Sequence, residues 1–373
     1  MMTINPRKKF NTVLVFLILL MSLLSMPGMG MGASLQDYLT CWKFAVISDT
    51  QGDNSKEPDK SGINDAVLQA IANDIVRENP DFVLVTGDLV SGWFRNGGTD
   101  YAAQYAKWKE AMSPVYNAGI RVYPVRGNHD SRPKRLALLP RFEPSTDAPV
   151  QLKNAFKDAF PEFYIPKNGP VHEEGLTYSF AHKNAFIVGL DQFIGGRHTI
   201  NQEWLHRQLK GNSLPHVFVY GHEPAFETDH KDCLAFYPIG RDLFWDTIGR
   251  AGAKVYFCGH DHFYNRALIP DNTDIQIRQI IAGTGGGTLR KWSGVYKDDK
   301  RVHGEYHNSD HTGYILVTVE GTKATVIWKA LMKPGTMDAW KILDTFTYSI
   351  PAEEEMKMIK TRNALPDNAP AFQ

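Results

Sequence analysis

The chain has 373 residues, 43% of them hydrophobic, and carries 41 basic against 41 acidic side chains. That is enough apolar material for one large core or about two smaller ones, and the balanced charge gives no basic excess of the kind that points to nucleic-acid binding. Three cysteines, Cys41, Cys233 and Cys258, exclude a disulfide framework, which pairs an even set.

Residues 1–33 have the layout of an export signal. Arg7, Lys8 and Lys9 precede an apolar run over 13–24, and Pro27 with the small residues of 28–33 follows. Cleavage would leave the mature chain about three charges acidic. The rival reading is an uncleaved anchor, since no charge stands between Lys9 and Asp37. The dense apolar part is shorter than the roughly 20 residues that span a bilayer, which favours cleavage. The protein is therefore expected to be exported, periplasmic or secreted, and to meet a membrane only if this segment is retained. A Cys41–Cys233 bridge is open in that compartment, and Cys258 reads as a small buried hydrophobe. One domain is expected over 34–350, with a polar tail over 351–373.

Five short apolar, β-rich runs each end in a carboxylate, amide or imidazole. Residues 44–48 run into Asp49-Thr50-Gln51, and 82–86 into Gly87-Asp88. Residues 122–125 run into Gly127-Asn128-His129-Asp130, 217–220 into Gly221-His222-Glu223-Pro224, and 255–258 into Gly259-His260-Asp261-His262. Fully apolar runs read as strands buried on both faces, and open α/β sheets build their sites at the carboxyl ends of such strands. Oxygen and imidazole donors without cysteine suit manganese, iron or zinc.

Between these runs, residues 64–79 place Val67, Leu68, Ile71, Ile75 and Val76 at helical spacing, with Asn64 or Asp65 as cap and Pro80 as stop. Residues 101–118 read as a second crossover helix whose Tyr101, Tyr105, Trp108 and Met112 form a core stripe. The loop over 91–100, with Trp93 and Phe94, is either a wall of the site mouth or an ordinary surface loop. Residues 132–175 carry little regular signal and form a rim. A hairpin is expected from 176–180 and 185–190, helices over 202–209 (capped by Asn201) and 240–251, and a strand over 275–282. The glycine run 283–287 either opens amides to a phosphate or is a packing turn. Residues 301–312, with His303, His307 and His311, read as a polar loop. A second hairpin joins 314–319 to 324–328. His198 and His206 read as solvated or structural.

The motif order over residues 49–262 resembles that of the calcineurin-like metallophosphoesterases, and Gly259-His260-Asp261-His262-Phe263-Tyr264-Asn265-Arg266 is similar to the last motif of the purple acid phosphatase branch. The resemblance implies an α/β fold of two mixed β-sheets packed face to face and flanked by helices. It implies two divalent or trivalent transition metal ions (Mn, Fe or Zn). Asp49, the Gln51 position and His262 would serve one, Asp88 would bridge, and Asn128, His222 and His260 would serve the other. A metal-bound hydroxide would attack a phosphorylated small molecule, His129 would act as general acid, and Asp130 would orient it. Gln51 is a departure: many members carry histidine there, and a neutral amide is a weaker ligand. A second class is a secreted metal- or phosphate-binding protein of the same fold with weak or no turnover. Retention of His129 argues against it.

Overall fold

The apolar runs become the inner strands of two mixed sheets. The first sheet places β1 (Cys41–Ile47), β2 (Phe82–Val85) and β3 (Arg121–Pro124) in parallel. It then extends antiparallel through β11 (Gly313–Glu320), β12 (Lys323–Leu331) and β13 (Trp340–Ser349), in the order β13-β12-β11-β1-β2-β3. The second is built from β4 (Tyr178–His182), β5 (Ala185–Gly189), β6 (His216–Tyr220), β7 (Val255–Cys258), β8 (Tyr264–Pro270), β9 (Gln276–Ala282) and β10 (His303–Asn308). Its order is β10-β8-β9-β7-β6-β5-β4, with β5, β6, β7 and β9 parallel. This computed structural model describes residues 41–52, 61–92, 101–131, 148–160, 165–194, 198–298, 300–333 and 339–350. The expected export segment, the tail over 351–373, and Trp93 and Phe94 lie outside them. Among the described residues no helix is long and apolar enough to cross a membrane.

The sheets pack face to face through aromatic side chains. Phe44 of β1 meets Phe218 of β6 edge-on at 4.8 Å, and Trp328 of β12 stacks on Tyr264 of β8 at 4.5 Å. Each such fully buried ring contributes about 1.5–3 kcal/mol by leaving water. Helix α1 (Asp65–Glu78) covers the first sheet; Asn64 caps it by accepting from the Val67 amide, and Asn79 ends it in the left-handed region. The single helix expected over 101–118 is two, α2 (Tyr101–Ala111) and α3 (Ser113–Asn117). Pro114 explains the break, since it has no N–H to continue α2 and fits the first turn of a new helix. Then come the short α4 (Asn128–Ser131) and α5 (Ala148–Ala159). The second sheet is backed by α6 (Gln202–Lys210), which Asn201 caps, and α7 (Pro238–Arg250).

Several expectations are corrected. Helix α5 lies in the stretch expected to be irregular; Leu152 and Phe156, one turn apart, are the buried face that marked it. Residues 303–308 are not a loop but the edge strand β10, paired with β8. Strands β8 and β13 were not anticipated: Arg266 interrupts the apolar pattern of β8, yet it is buried because it pairs with Asp344 of β13. Cys41, exposed, and Cys233, buried, are both free thiols. His198 and His206 are buried, which fits the structural and not the solvated reading of the two. Of the two readings of the glycine run, the packing turn holds: Gly285 and Gly287 donate their amides to the Ser48 and Asp49 carbonyls.

Candidate metal centre

Asp49, Asp88, Asn128, His222, His260 and His262 all follow the carboxyl ends of β1, β2, β3, β6 and β7, and the two sheets bring these ends to one place. One donor atom from each of Asp49, Asp88 and His262 lies within 4.8 Å of the others. Beside them, the Asn128 Oδ1 lies 3.0 Å from His222 Nε2 and 2.9 Å from His260 Nδ1. Asp88 lies between the two groups. Its Oδ2 is 3.5 Å from His222 Nε2 and accepts from Gln51 Nε2 at 3.2 Å, while its Oδ1 accepts from the His129 amide at 2.7 Å.

The backbone is bent to make this possible. Asp49, Asp88 and His260 have φ of 53°, 51° and 73°, a region in which a non-glycine residue costs of order 1–3 kcal/mol. The neighbours must be small. A Cβ on Gly127 would stand 2.1 Å from Asp88 Oδ1, and one on Gly259 would stand 2.2 Å from Asp49 Oδ2. Both glycines are required by close approach to a carboxylate.

Each imidazole turns one nitrogen inward and fixes the other. His222 Nδ1 bonds the Thr86 carbonyl at 2.9 Å, and His262 Nδ1 bonds the Thr288 carbonyl at 3.0 Å. His260 Nε2 bonds Asp232 at 3.3 Å. A carbonyl or carboxylate on the outer nitrogen sets the tautomer that leaves the inner one free to ligate. Asp49 is held by the Ser48 hydroxyl at 2.6 Å and the His260 amide.

The electrostatics fit a cation site. Burial pushes Asp49 up to about 6, with His222 opposing and Asp88 adding. Burial also acts against an ionised Asp88, but the His222 and His129 imidazoles and the His129 amide hold it below the ordinary carboxylate range. Burial lowers His222, and takes His262 down to about 4. Burial would lower His260 too, but the Asp232 bond and the Asp261 charge raise it to about 9. Without ions, the centre balances its buried charges with protons that a metal would displace. Donor atoms 2.9–3.5 Å apart are also spaced as neighbours around one ion, since bonds of about 2.1 Å put adjacent ligands about 3 Å apart. The residues therefore fit the metals that the motifs imply.

Gln51 sits in the same cluster, with Nε2 3.2 Å from Asp88 and 3.1 Å from His262 Nε2. Its Oε1 is buried with no hydrogen-bond partner. Rotating the amide would turn that oxygen toward the Asp88 and His262 donors, where a cation would satisfy it. His129 Nδ1 bonds the Ser91 carbonyl at 2.8 Å, and its Nε2 stands 3.8 Å from Asp88 Oδ2. Asp130 faces elsewhere: its carboxylate accepts from the Leu89 and Gly127 amides and the Tyr105 hydroxyl. Burial, together with the Asp88 charge, pushes Asp130 up to about 8.

Sequence reasoning missed the outer partners. Asp232 has no motif to mark it. Gln192, whose Oε1 accepts the His222 and Glu223 amides at 2.7 Å each, follows the end of β5 and shares the strand-end signal of the ligands. Tyr101, Tyr105 and Trp108 are core, as expected, but their polar tips fasten the site loops through His129, Asp130 and Thr50.

The fold recurs among solved structures. The purple acid phosphatase PPD1 from yellow lupin (Lupinus luteus) seeds superposes with a TM-score of 0.63 at 16% identity, over 90% of this chain and 58% of that one. This chain thus spans little more than half of the lupin protein. PhoD superposes with a TM-score of 0.61 at 14% identity, over 87% of this chain and 71% of that one. A dimetal phosphatase from Danio rerio gives a TM-score of 0.52 at 13% identity, over 83% and 98%. No curated protein matches the sequence significantly. The sequence profile of the calcineurin-like phosphoesterases matches residues 43–264, more than half of the chain, and the chain belongs to that family.

Proposed function

We propose that the protein is a metal-dependent hydrolase of phosphate esters working through a dinuclear centre. The observation that carries this reading is the position of Asp88, whose Oδ2 faces both the Gln51 side and the His222 side of the cluster. Asp49, Gln51 and His262 would hold one ion, Asn128, His222 and His260 the other, and Asp88 would bridge. When bound, such a pair polarises a phosphoryl oxygen and makes hydroxide available near neutral pH.

The chain's own residues do the rest. His129 keeps Nδ1 on the Ser91 carbonyl, so its Nε2 faces the centre and, when protonated, donates to the ester. It hands that proton to the leaving oxygen as the P–O bond breaks. Asp130 supports this from below, by fixing the Gly127 and Leu89 amides and so the turn that carries Asn128 and His129. The product is a free alcohol and a phosphate group with one ester fewer. Export to the periplasm or the medium, with a mature start near Ser34, completes the proposal.

The test is turnover of p-nitrophenyl phosphate and its bis-ester by chelator-stripped protein reloaded with manganese, iron or zinc. Restored hydrolysis supports the reading. Stoichiometric metal uptake without hydrolysis of either ester would favour the binding-protein alternative.

A further inference from the structure

The end of the loop after β6 and the first turn of α7 carry a surface feature that the metal chemistry does not use. Phe236, Tyr237 and Ile239 are 62%, 50% and 70% exposed, and they make up half of the exposed large apolar side chains among the described residues. Such a cluster on a folded surface marks a place where apolar matter binds.

Its position is fixed relative to the centre. Four residues before Phe236, Asp232 bonds His260. The Leu234 amide donates to the Pro224 carbonyl, and Cys233 and Leu234 are buried beneath. On the other side the His198 ring lies 5.4 Å from Phe236, and His198 Nδ1 bonds Glu223, the residue after His222. Phe236 and Tyr237 meet edge-on at 5.0 Å. The patch is thus tied to two of the candidate ligands, His222 and His260, through one short connection each. Four residues span at most about 14 Å between Cα atoms, and the tight turn at Leu234–Phe236 shortens this.

We propose that Phe236, Tyr237 and Ile239 form an apolar subsite for the organic group of the ester, so that the preferred substrates are phosphoesters carrying an alkyl or aryl chain. The inference rests on the phosphoesterase reading of the centre, which supplies the phosphate end. A rigid aromatic pair beside an isoleucine offers a one-sided platform, selective for hydrocarbon and indifferent to its detailed shape.

The test separates the two readings by using phosphonates, which bind without turnover. Methylphosphonate and hexylphosphonate are titrated calorimetrically into the full-length protein loaded with manganese. One-sided contact is worth about twofold per methylene, so hexylphosphonate is expected to bind about 30-fold tighter. In Phe236→Ser/Ile239→Ser that ratio should fall below about threefold. In the control Val171→Ser/Ile342→Ser, at similarly exposed positions, it should stay near the wild-type value. Equal affinity for the two phosphonates in the wild type, or an undiminished ratio in the first variant, overturns the subsite and leaves the phosphoesterase reading standing. Failure to bind either phosphonate overturns both. Equal affinity combined with sedimentation on phosphatidylcholine–phosphatidylglycerol vesicles that the first variant loses would assign the patch to a membrane instead.

Discussion

Arg126 and Asp191 provide the most direct test of how the two sheets are locked under the centre. Arg126 precedes Gly127 and Asn128 at the end of β3, and Asp191 precedes Gln192 at the end of β5. Their ion pair is bidentate, at 2.6 and 3.1 Å, with side chains 3% and 0% exposed. Burial disfavours the charged guanidinium, but Asp191 outweighs it and raises the Arg126 pKa. Arg126→Met leaves Asp191 buried and uncompensated, which costs about 3–5 kcal/mol. At about 1.5 °C per kcal/mol for a domain of roughly 300 residues, Tm should drop by roughly 4–8 °C. The assay is thermal unfolding of chelator-stripped protein, so that lost metal does not enter. Arg126→Met/Asp191→Leu removes both charges and should recover much of the loss. Recovery is partial because the Phe193 amide, which bonds Asp191, stays unpaired. A loss under about 1 kcal/mol for the single variant, or a double variant as poor as both singles summed, would refute the reasoning.

Other expectations follow from the same geometry. His129→Ala should keep its metals and lower kcat by about 10²–10⁴, with a smaller loss for a nitrophenyl ester, whose leaving group needs less protonation; equal losses for good and poor leaving groups would sink the general-acid role. Gln51→His should tighten the weaker metal step seen by calorimetry, and manganese should reactivate the wild type better than zinc, since softer metals miss the nitrogen donor most. Two equal, tight steps in the wild type, unchanged by the substitution, would show that Gln51 does not tune the centre. Burial lowers His216 from its ordinary value of 6.5 to about 4, so the unfolded chain binds the extra proton first. Its contribution is present above pH 6.5 and is lost as pH falls through about 4. His216→Gln should flatten the acid side of the stability–pH curve, and an unchanged slope would contradict this.

Much of the site was legible because strand ends announce themselves. An apolar run followed by Gly-Asp or Gly-His needs no tertiary information, and the ligand candidates at those ends are found together. What the sequence hid was polar residues buried for tertiary reasons. Arg266 makes β8 look like a loop until Asp344 of β13 is seen to pair with it. His307, next to Trp292 and Phe263, makes an edge strand look like a solvated loop. Asp232 and Ser91 bond His260 and His129 across the fold, and no local pattern records such contacts. Pro114, by contrast, was a local break signal overridden by the longer helical pattern around it.

Asp88 as the bridge between two ions is what the dinuclear centre requires above all. Metal content per chain, measured by atomic emission on reconstituted wild type and Asp88→Asn, tests that claim directly. The wild type should hold about two ions, and the variant, whose neutral amide cannot offset two cations, should hold fewer and lose turnover with them. A variant that keeps the wild-type metal content at full activity would contradict the bridge and with it the dinuclear reading.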